Sequence, residues 1–100
     1  MIKHIVLWKL KETAHGKSRL ENAKVIKEML ESLQGRIPGL LKIEVGIDTS
    51  GTDQSADVVL YSEFTTPDAL DEYQVHPLHE AAKVYIMEAR NERRIADYEV

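Results

Sequence analysis

The fold can be inferred by starting from the stretch GLLKIEVGIDTSGTDQSADVVLYSEF, residues 39–64. Its first half alternates between apolar and polar residues, which predicts a strand with one buried face. The apolar residues of this alternation are Leu41, Ile43, Val45 and Ile47. The polar segment Thr49–Ser55 predicts a hairpin loop, and Val58–Phe64 predicts a second strand. The middle of the chain is therefore expected to form a β-hairpin.

A strand and a helix are predicted before this hairpin. Ile2–Leu10 alternates, so one face should carry the row Ile2, His4, Val6, Trp8 and Leu10. Thr13–Lys17 is predicted to be a loop. Ser18 and Glu21 have the spacing of a capping box, which predicts that a helix begins there and ends at Gly35. The expected apolar stripe of this helix is Leu20, Ala23, Ile26, Leu30 and Leu33.

Two helices and a strand are predicted after the hairpin. Thr66–Pro67–Asp68 supplies a cap, a proline at the first helical position and an acidic residue for a short helix. His76–Pro77 repeats this pattern and begins a longer helix. Its expected apolar residues are Leu78, Ala82, Tyr85, Ile86 and Ala89. Ile95–Val100 is predicted as the last strand.

The order strand, helix, strand, strand, split helix, strand indicates an α+β protein of ferredoxin-like architecture. One domain, residues 1–100, would carry a four-stranded antiparallel sheet with helices on one face. The other face would present Ile5, Leu7, Val59 and Tyr61, which need cover. A second copy of the chain is the simplest source of that cover, so a homodimer is predicted.

Composition excludes several classes of function. The 100 residues contain no cysteine, which excludes disulfides, thiolate catalysis and cysteine-ligated metals. The net charge of −4 with no basic face argues against a nucleic-acid partner. No apolar run is long enough for a membrane span, and no signal peptide is evident, so a cytoplasmic protein is expected. No phosphate loop, dinucleotide fingerprint or nucleophile elbow is present, and no cofactor is expected.

Three residues are candidates for chemistry. His4 interrupts an apolar row, so it is either a core histidine with satisfied hydrogen bonds or part of a polar patch in a cavity. His79 falls at the edge of a helical apolar stripe, where it would either act as a base or pack its ring and hydrogen-bond a backbone carbonyl. Tyr73 precedes the helix break and is expected at the mouth of a pocket, either as a hydrogen-bond donor to substrate or as an amphipathic tyrosine with a buried ring and a solvated hydroxyl.

The other two histidines have simpler interpretations. His76 precedes Pro77, which favours extended backbone at a helix start. That geometry is poor for sharing a metal ion with His79, so no zinc site is expected. His15 lies beside Gly16 in a polar segment and is expected to be an ordinary surface residue.

Four segments together resemble the stress-responsive α/β-barrel family, whose members are small domains of the dimeric α/β-barrel superfamily. They are MIKHIVLWKLK, GLLKIEVG, SADVVLYSEF and LDEYQVHPLHEAAKVYI. The opening K-H-I-V-x-x-K pattern and the Y-x-x-H-P-x-H block are the most specific. The resemblance implies two protomers whose sheets close into a barrel, with the helices outside.

The resemblance also implies a site. A plant member of the family closes a linear polyketide by an aldol condensation without a cofactor, and its catalytic tyrosine and histidine fall on Tyr73 and His79. Its first-strand histidine falls on His4. A cofactor-independent enzyme acting on a small carbonyl compound is therefore expected, with His79 as base, Tyr73 as donor and His4 as a positioning group. Two alternatives remain: a small-molecule-binding or stress-associated protein without catalysis, and a cofactor-independent oxygenase of the wider superfamily.

Overall fold

The computed structural model describes all residues, 1–100, and contains six strands and three helices. They are β1 (Ile2–Leu10), β2 (Thr13–Ala14), β3 (Lys17–Ser18), α1 (Arg19–Glu31), β4 (Leu40–Ile47), β5 (Val58–Phe64), α2 (Pro67–Val75), α3 (Pro77–Ala89) and β6 (Arg90–Glu99). The main sheet has the order β4-β5-β1-β6, and every neighbouring pair is antiparallel. The predicted α+β, ferredoxin-like fold is confirmed.

The strand β1 lies inside the sheet and alternates in burial as its sequence predicts. The row Ile2, His4, Val6, Trp8 and Leu10 is buried under the helices. The opposite face of the sheet has no helix over it, and Ile5, Leu7, Val59 and Tyr61 lie there at least partly exposed. This face remains the apolar surface that the sequence leaves without cover.

The helix starts follow from local side-chain chemistry. Ser18 and Glu21 form the predicted capping box, each side chain bonding the backbone of the other. Thr66 accepts a hydrogen bond from the Ala69 amide at the start of α2. His76 takes the same role for α3, since its Nδ1 accepts from the Leu78 amide. Each cap satisfies an amide that the first helical turn leaves unpaired.

Three local expectations were wrong. Leu41 is 50% exposed, because the pairing register shifts between Leu40 and Lys42 and buries Leu40 instead. Leu20 is also largely exposed at the first turn of α1. That helix ends at Glu31, and Gly35, with φ of 78°, lies in the turn that follows.

Two strand assignments also differ from the sequence-based prediction. β6 begins at Arg90, directly after α3, and not at Ile95, because β1 offers pairing partners from Ile2 to Leu10. The segment predicted as a loop at Thr13–Lys17 contributes to a short hairpin of β2 and β3. No helix of the protein is both long and apolar enough to cross a membrane.

Candidate active site

A cleft of about 280 Å³ lies between α3 and the helix-covered face of the sheet, along β1 and β6. Both β1 and α3 contribute to its wall, and α2 contributes one residue. The lining residues are His4, Val6, Trp8, Leu60, Gln74, His79, Lys83, Ile86, Met87, Arg90 and Arg93. Two of the three candidate residues, His4 and His79, therefore face one cavity.

His4 is held in place from both neighbouring strands. Its backbone carbonyl accepts from the buried Ser62 hydroxyl at 2.9 Å, and its ring Nδ1 lies 2.5 Å from Asp97 Oδ1. Because a carboxylate only accepts hydrogen bonds, this contact places a proton on Nδ1. Nε2 has no partner within the chain, so it is free to bond a ligand in the cleft.

His79 lies in the first turn of α3 and is half-buried. Its Nδ1 donates to the Gln74 carbonyl at 3.3 Å, and its Nε2 has no partner in the chain. Burial lowers the pKa of His79 below its ordinary value, and the nearby Lys83 charge acts in the same direction. The imidazole is therefore held in its neutral form, which is the form that accepts a proton.

Tyr73 lies beneath the cleft and not at its mouth, contrary to the expectation from sequence. It is fully buried, with its ring 4.3 Å from the ring of His79 and 4.9 Å from that of Phe64, measured between centroids. Its hydroxyl is the one buried side-chain polar atom without a hydrogen-bond partner. Burial raises its pKa above the ordinary value for a phenol, so the hydroxyl keeps its proton.

The two remaining histidines lie outside the cleft. His76 is the cap residue between α2 and α3, in agreement with its predicted place at a helix start. His15 is exposed as predicted, but it is not an isolated surface residue. Its ring stacks on Tyr85 at 3.8 Å, and its Nε2 donates to the Tyr85 carbonyl at 3.0 Å. No group of three or more histidine or acidic side chains is arranged to hold a metal ion.

Three residues of this region were missed by the sequence-based prediction: Asp97, Arg90 and Arg93. Asp97 pairs with His4 in the β1–β6 register, and Arg93 pairs with Trp8. The β1–β6 register would have identified them. In that register, alternate residues of β6 fall on the same side of the sheet as the buried residues of β1. Because the last strand was predicted to begin at Ile95, neither arginine was assigned to the sheet.

A family model described as the stress-responsive A/B barrel domain matches residues 2–100 of the chain. Among solved structures, a dimeric protein of unknown function and ferredoxin-like fold from Bacteroides fragilis is 35% identical, with a TM-score of 0.88. The alignment covers 99% of this chain and 95% of that one. None of the curated proteins compared with the chain matches it.

Two more distant structures share the fold. A dimeric ferredoxin-like protein of unknown function from Thermobifida fusca is 23% identical over 99% of this chain and 90% of that one, with a TM-score of 0.84. A hydroxynitrile lyase from Passiflora edulis is 15% identical over 97% of this chain and 90% of that one, with a TM-score of 0.74. At these identities the likeness is one of fold alone.

Proposed function

The chain belongs to the stress-responsive A/B barrel domain family, and we propose that it binds a small carbonyl compound in the cleft and removes a proton from it without a cofactor. One observation carries the proposal. His4 and His79 line the same cavity, each with a ring nitrogen that has no partner in the chain, and both rings lie near the ring of Tyr73, whose buried hydroxyl is unpaired. A buried hydroxyl without a partner costs about 1–3 kcal/mol, and such a cost is often retained where a ligand supplies the partner.

The proton balance assigns a role to each group. His79 Nε2 takes a proton from the carbon next to the substrate carbonyl, and the electron pair of that C–H bond moves toward the carbonyl oxygen. Tyr73 donates its O–H to that developing oxyanion. The pKa directions suit these roles, because burial keeps His79 neutral and Tyr73 protonated.

His4 is the proposed positioning group. Its hydrogen bond to Asp97 fixes the tautomer and the plane of the ring, as a carboxylate does for a histidine in many sites. Its ring centroid lies 6.2 Å from that of Tyr73, so it borders the same end of the cleft. A substrate oxygen with a hydrogen to donate would bond Nε2 there.

The protein is proposed to act as a homodimer. The apolar residues on the face of the sheet without helices support this assembly, and the relative from Bacteroides fragilis is described as dimeric. Light scattering at micromolar concentration should give twice the mass of the 11.4 kDa chain. A monomer at that concentration would count against the dimer.

Hydrogen–deuterium exchange tests the chemistry without knowledge of the full reaction. In D₂O, the protein should accelerate deuterium uptake next to the ketone of 6-oxoheptanoate, followed by NMR. His79→Ala should slow the catalysed exchange by about 100-fold or more, and Tyr73→Phe by about tenfold or more. His15→Ala, a histidine substitution outside the cleft, should leave the rate unchanged.

Two results would contradict the proposal. If His79→Ala exchanges as fast as the unsubstituted protein, His79 is not the base. If the protein binds 6-oxoheptanoate but never accelerates exchange, the cleft is a binding site without catalysis.

A further inference from the structure

The wall of the cleft has the opposite charge to the protein as a whole. The chain carries 17 acidic and 13 basic residues, for a net charge of −4. The eleven lining residues nevertheless include Lys83, Arg90 and Arg93 and no aspartate or glutamate. A cavity walled by one sign of charge attracts ligands of the other sign, and low-dielectric walls strengthen that field.

The two arginines of this wall are not neutralised by neighbours. Lys83 is 3.7 Å from Glu80, and Asp97 is engaged with His4. The chain's five ion pairs include neither Arg90 nor Arg93, and neither guanidinium makes a side-chain hydrogen bond. A guanidinium offers five N–H donors in a planar fork that matches a carboxylate. Both arginines are therefore available for an anion.

Strand register separates the cationic end of the cleft from the histidine end. Arg93 pairs with Trp8, four residues along β1 from His4, which is about 13 Å in an extended strand. Along α3, His79 comes first and Lys83 one turn later, and Arg90 follows the C-terminal end of the helix. The arrangement suits an elongated ligand with different groups at its two ends.

We infer that the cleft takes keto acids, with the carbonyl at His79 and a carboxylate at the far end held by Arg90 and Arg93. The reacting end of this inference rests on the proposed function. The carboxylate end rests on the unpaired arginines and on the absence of acidic side chains from the wall.

Protection of a sheet edge does not account for both arginines. β6 is an edge strand, and charged residues on such strands discourage pairing with other chains. Arg94, beside Glu92 at 3.8 Å, already places charge on this strand. Arg93 instead lies on the other side of the strand and lines the cleft, together with Arg90.

Two probes that differ in charge test the inference: 6-oxoheptanoate and its neutral methyl ester. Titration calorimetry, with the fluorescence of Trp8 as a second readout, gives both affinities, since Trp8 is the only tryptophan and lines the cleft. The acid should bind about tenfold more tightly than the ester. Arg93→Gln and Arg90→Gln should each remove most of that preference while the affinity for the ester stays unchanged.

Arg36→Gln is the matched control, because Arg36 is an exposed arginine outside the cleft. It should preserve the preference for the acid. Equal affinities for acid and ester in the unsubstituted protein would overturn the inference. So would an Arg93→Gln protein whose affinity for the two probes falls by the same factor. Circular dichroism of each variant verifies that the fold is retained.

The outcomes separate this inference from the proposed function. Equal affinities with exchange that still depends on His79 would refute the carboxylate site and leave the chemistry standing. If the protein prefers the acid through its arginines but does not accelerate deuterium exchange, the carboxylate site is supported and the proposed proton removal is refuted. Failure of both probes to bind at millimolar concentration would count against both.

Discussion

Two histidine–tyrosine pairs lie at different places in this small protein, and they differ in how their polar atoms are used. We call Tyr73 and His79 the cleft pair, and His15 and Tyr85 the hairpin pair. The ring centroids are 4.3 Å apart in the first and 3.8 Å apart in the second. In the hairpin pair, the Tyr85 hydroxyl donates to Asn22 Oδ1 at 2.6 Å. In the cleft pair, the Tyr73 hydroxyl has no partner.

This contrast indicates that the hairpin pair is structural. Asn22 is buried, and its amide donates to the Ala14 carbonyl at 2.9 Å, so the hairpin pair belongs to a network that ties β2, α1 and α3 together. Every polar group named in that network has a partner within the chain. The cleft pair leaves a phenol and an imidazole nitrogen unused, which a purely structural pair has no reason to do. The three predictions below test this contrast.

Asn22→Ala should give the largest loss of stability. The substitution removes the partner of the Tyr85 hydroxyl and the donor to the Ala14 carbonyl, and it leaves both of these part-buried groups unsatisfied. We expect the free energy of unfolding to fall by about 2–4 kcal/mol, measured by urea denaturation at one fixed protein concentration. Asn91→Ala, at the other asparagine of the chain, lies on the exposed strand β6 and should change it by less than about 0.5 kcal/mol. A small effect of Asn22→Ala would mean that the network does not hold the hairpin.

Removal of the Tyr85 hydroxyl should lower the stability of the protein, whereas removal of the Tyr73 hydroxyl should not. Tyr85→Phe breaks the hydrogen bond to Asn22 and should lower the free energy of unfolding by about 1–2 kcal/mol, with no effect on deuterium exchange. Tyr73→Phe removes an unsatisfied buried hydroxyl and should leave stability unchanged or raise it by up to about 1 kcal/mol, while catalysis falls. Paired denaturation curves measure both. A destabilised Tyr73→Phe protein would show that this hydroxyl has a structural partner after all.

The smallest effect expected is a pH dependence from His79. Its native pKa lies below the ordinary 6.5, so below that pH the unfolded chain binds the proton more readily than the native protein does. The contribution of the neutral His79 ring to the free energy of unfolding is therefore fully present above neutral pH. It is lost as pH falls from 6.5 through the native pKa. NMR titration of the ring proton should give a midpoint below 6.5 in the native protein and near 6.5 in urea. A native midpoint above 6.5 would contradict burial as the dominant cause.

Most of the fold could be predicted because its signals are local. The capping box of Ser18 and Glu21 acts over three residues, and the alternation of β1 is a property of consecutive side chains. Predictions about individual strands were wrong where the pairing register between strands determined the result. Leu41 was turned outward by the shift beside Leu40, and β6 was extended back to Arg90 because β1 supplied partners.

The candidate site was less predictable for the same reason. His4, Tyr73 and His79 were singled out by sequence and by family resemblance, and the structure places two of them, His4 and His79, on the wall of the cleft. Tyr73 was expected at the mouth and is buried beneath. Local sequence patterns do not indicate how deeply the Tyr73 side chain is buried, because that depends on how α2 and α3 pack over the sheet.

Local sequence signals specify the order of the elements, the buried face of each inner strand and the helix starts, since periodicity and capping act within a few residues. The contacts of His4 with Asp97, 93 residues away, and of His15 with Tyr85, 70 residues away, arise only when the chain has folded. So does the convergence of Arg90 and Arg93 on the cleft. These contacts depend on which strands pair and in what register, and that choice is made by the packing of the whole chain.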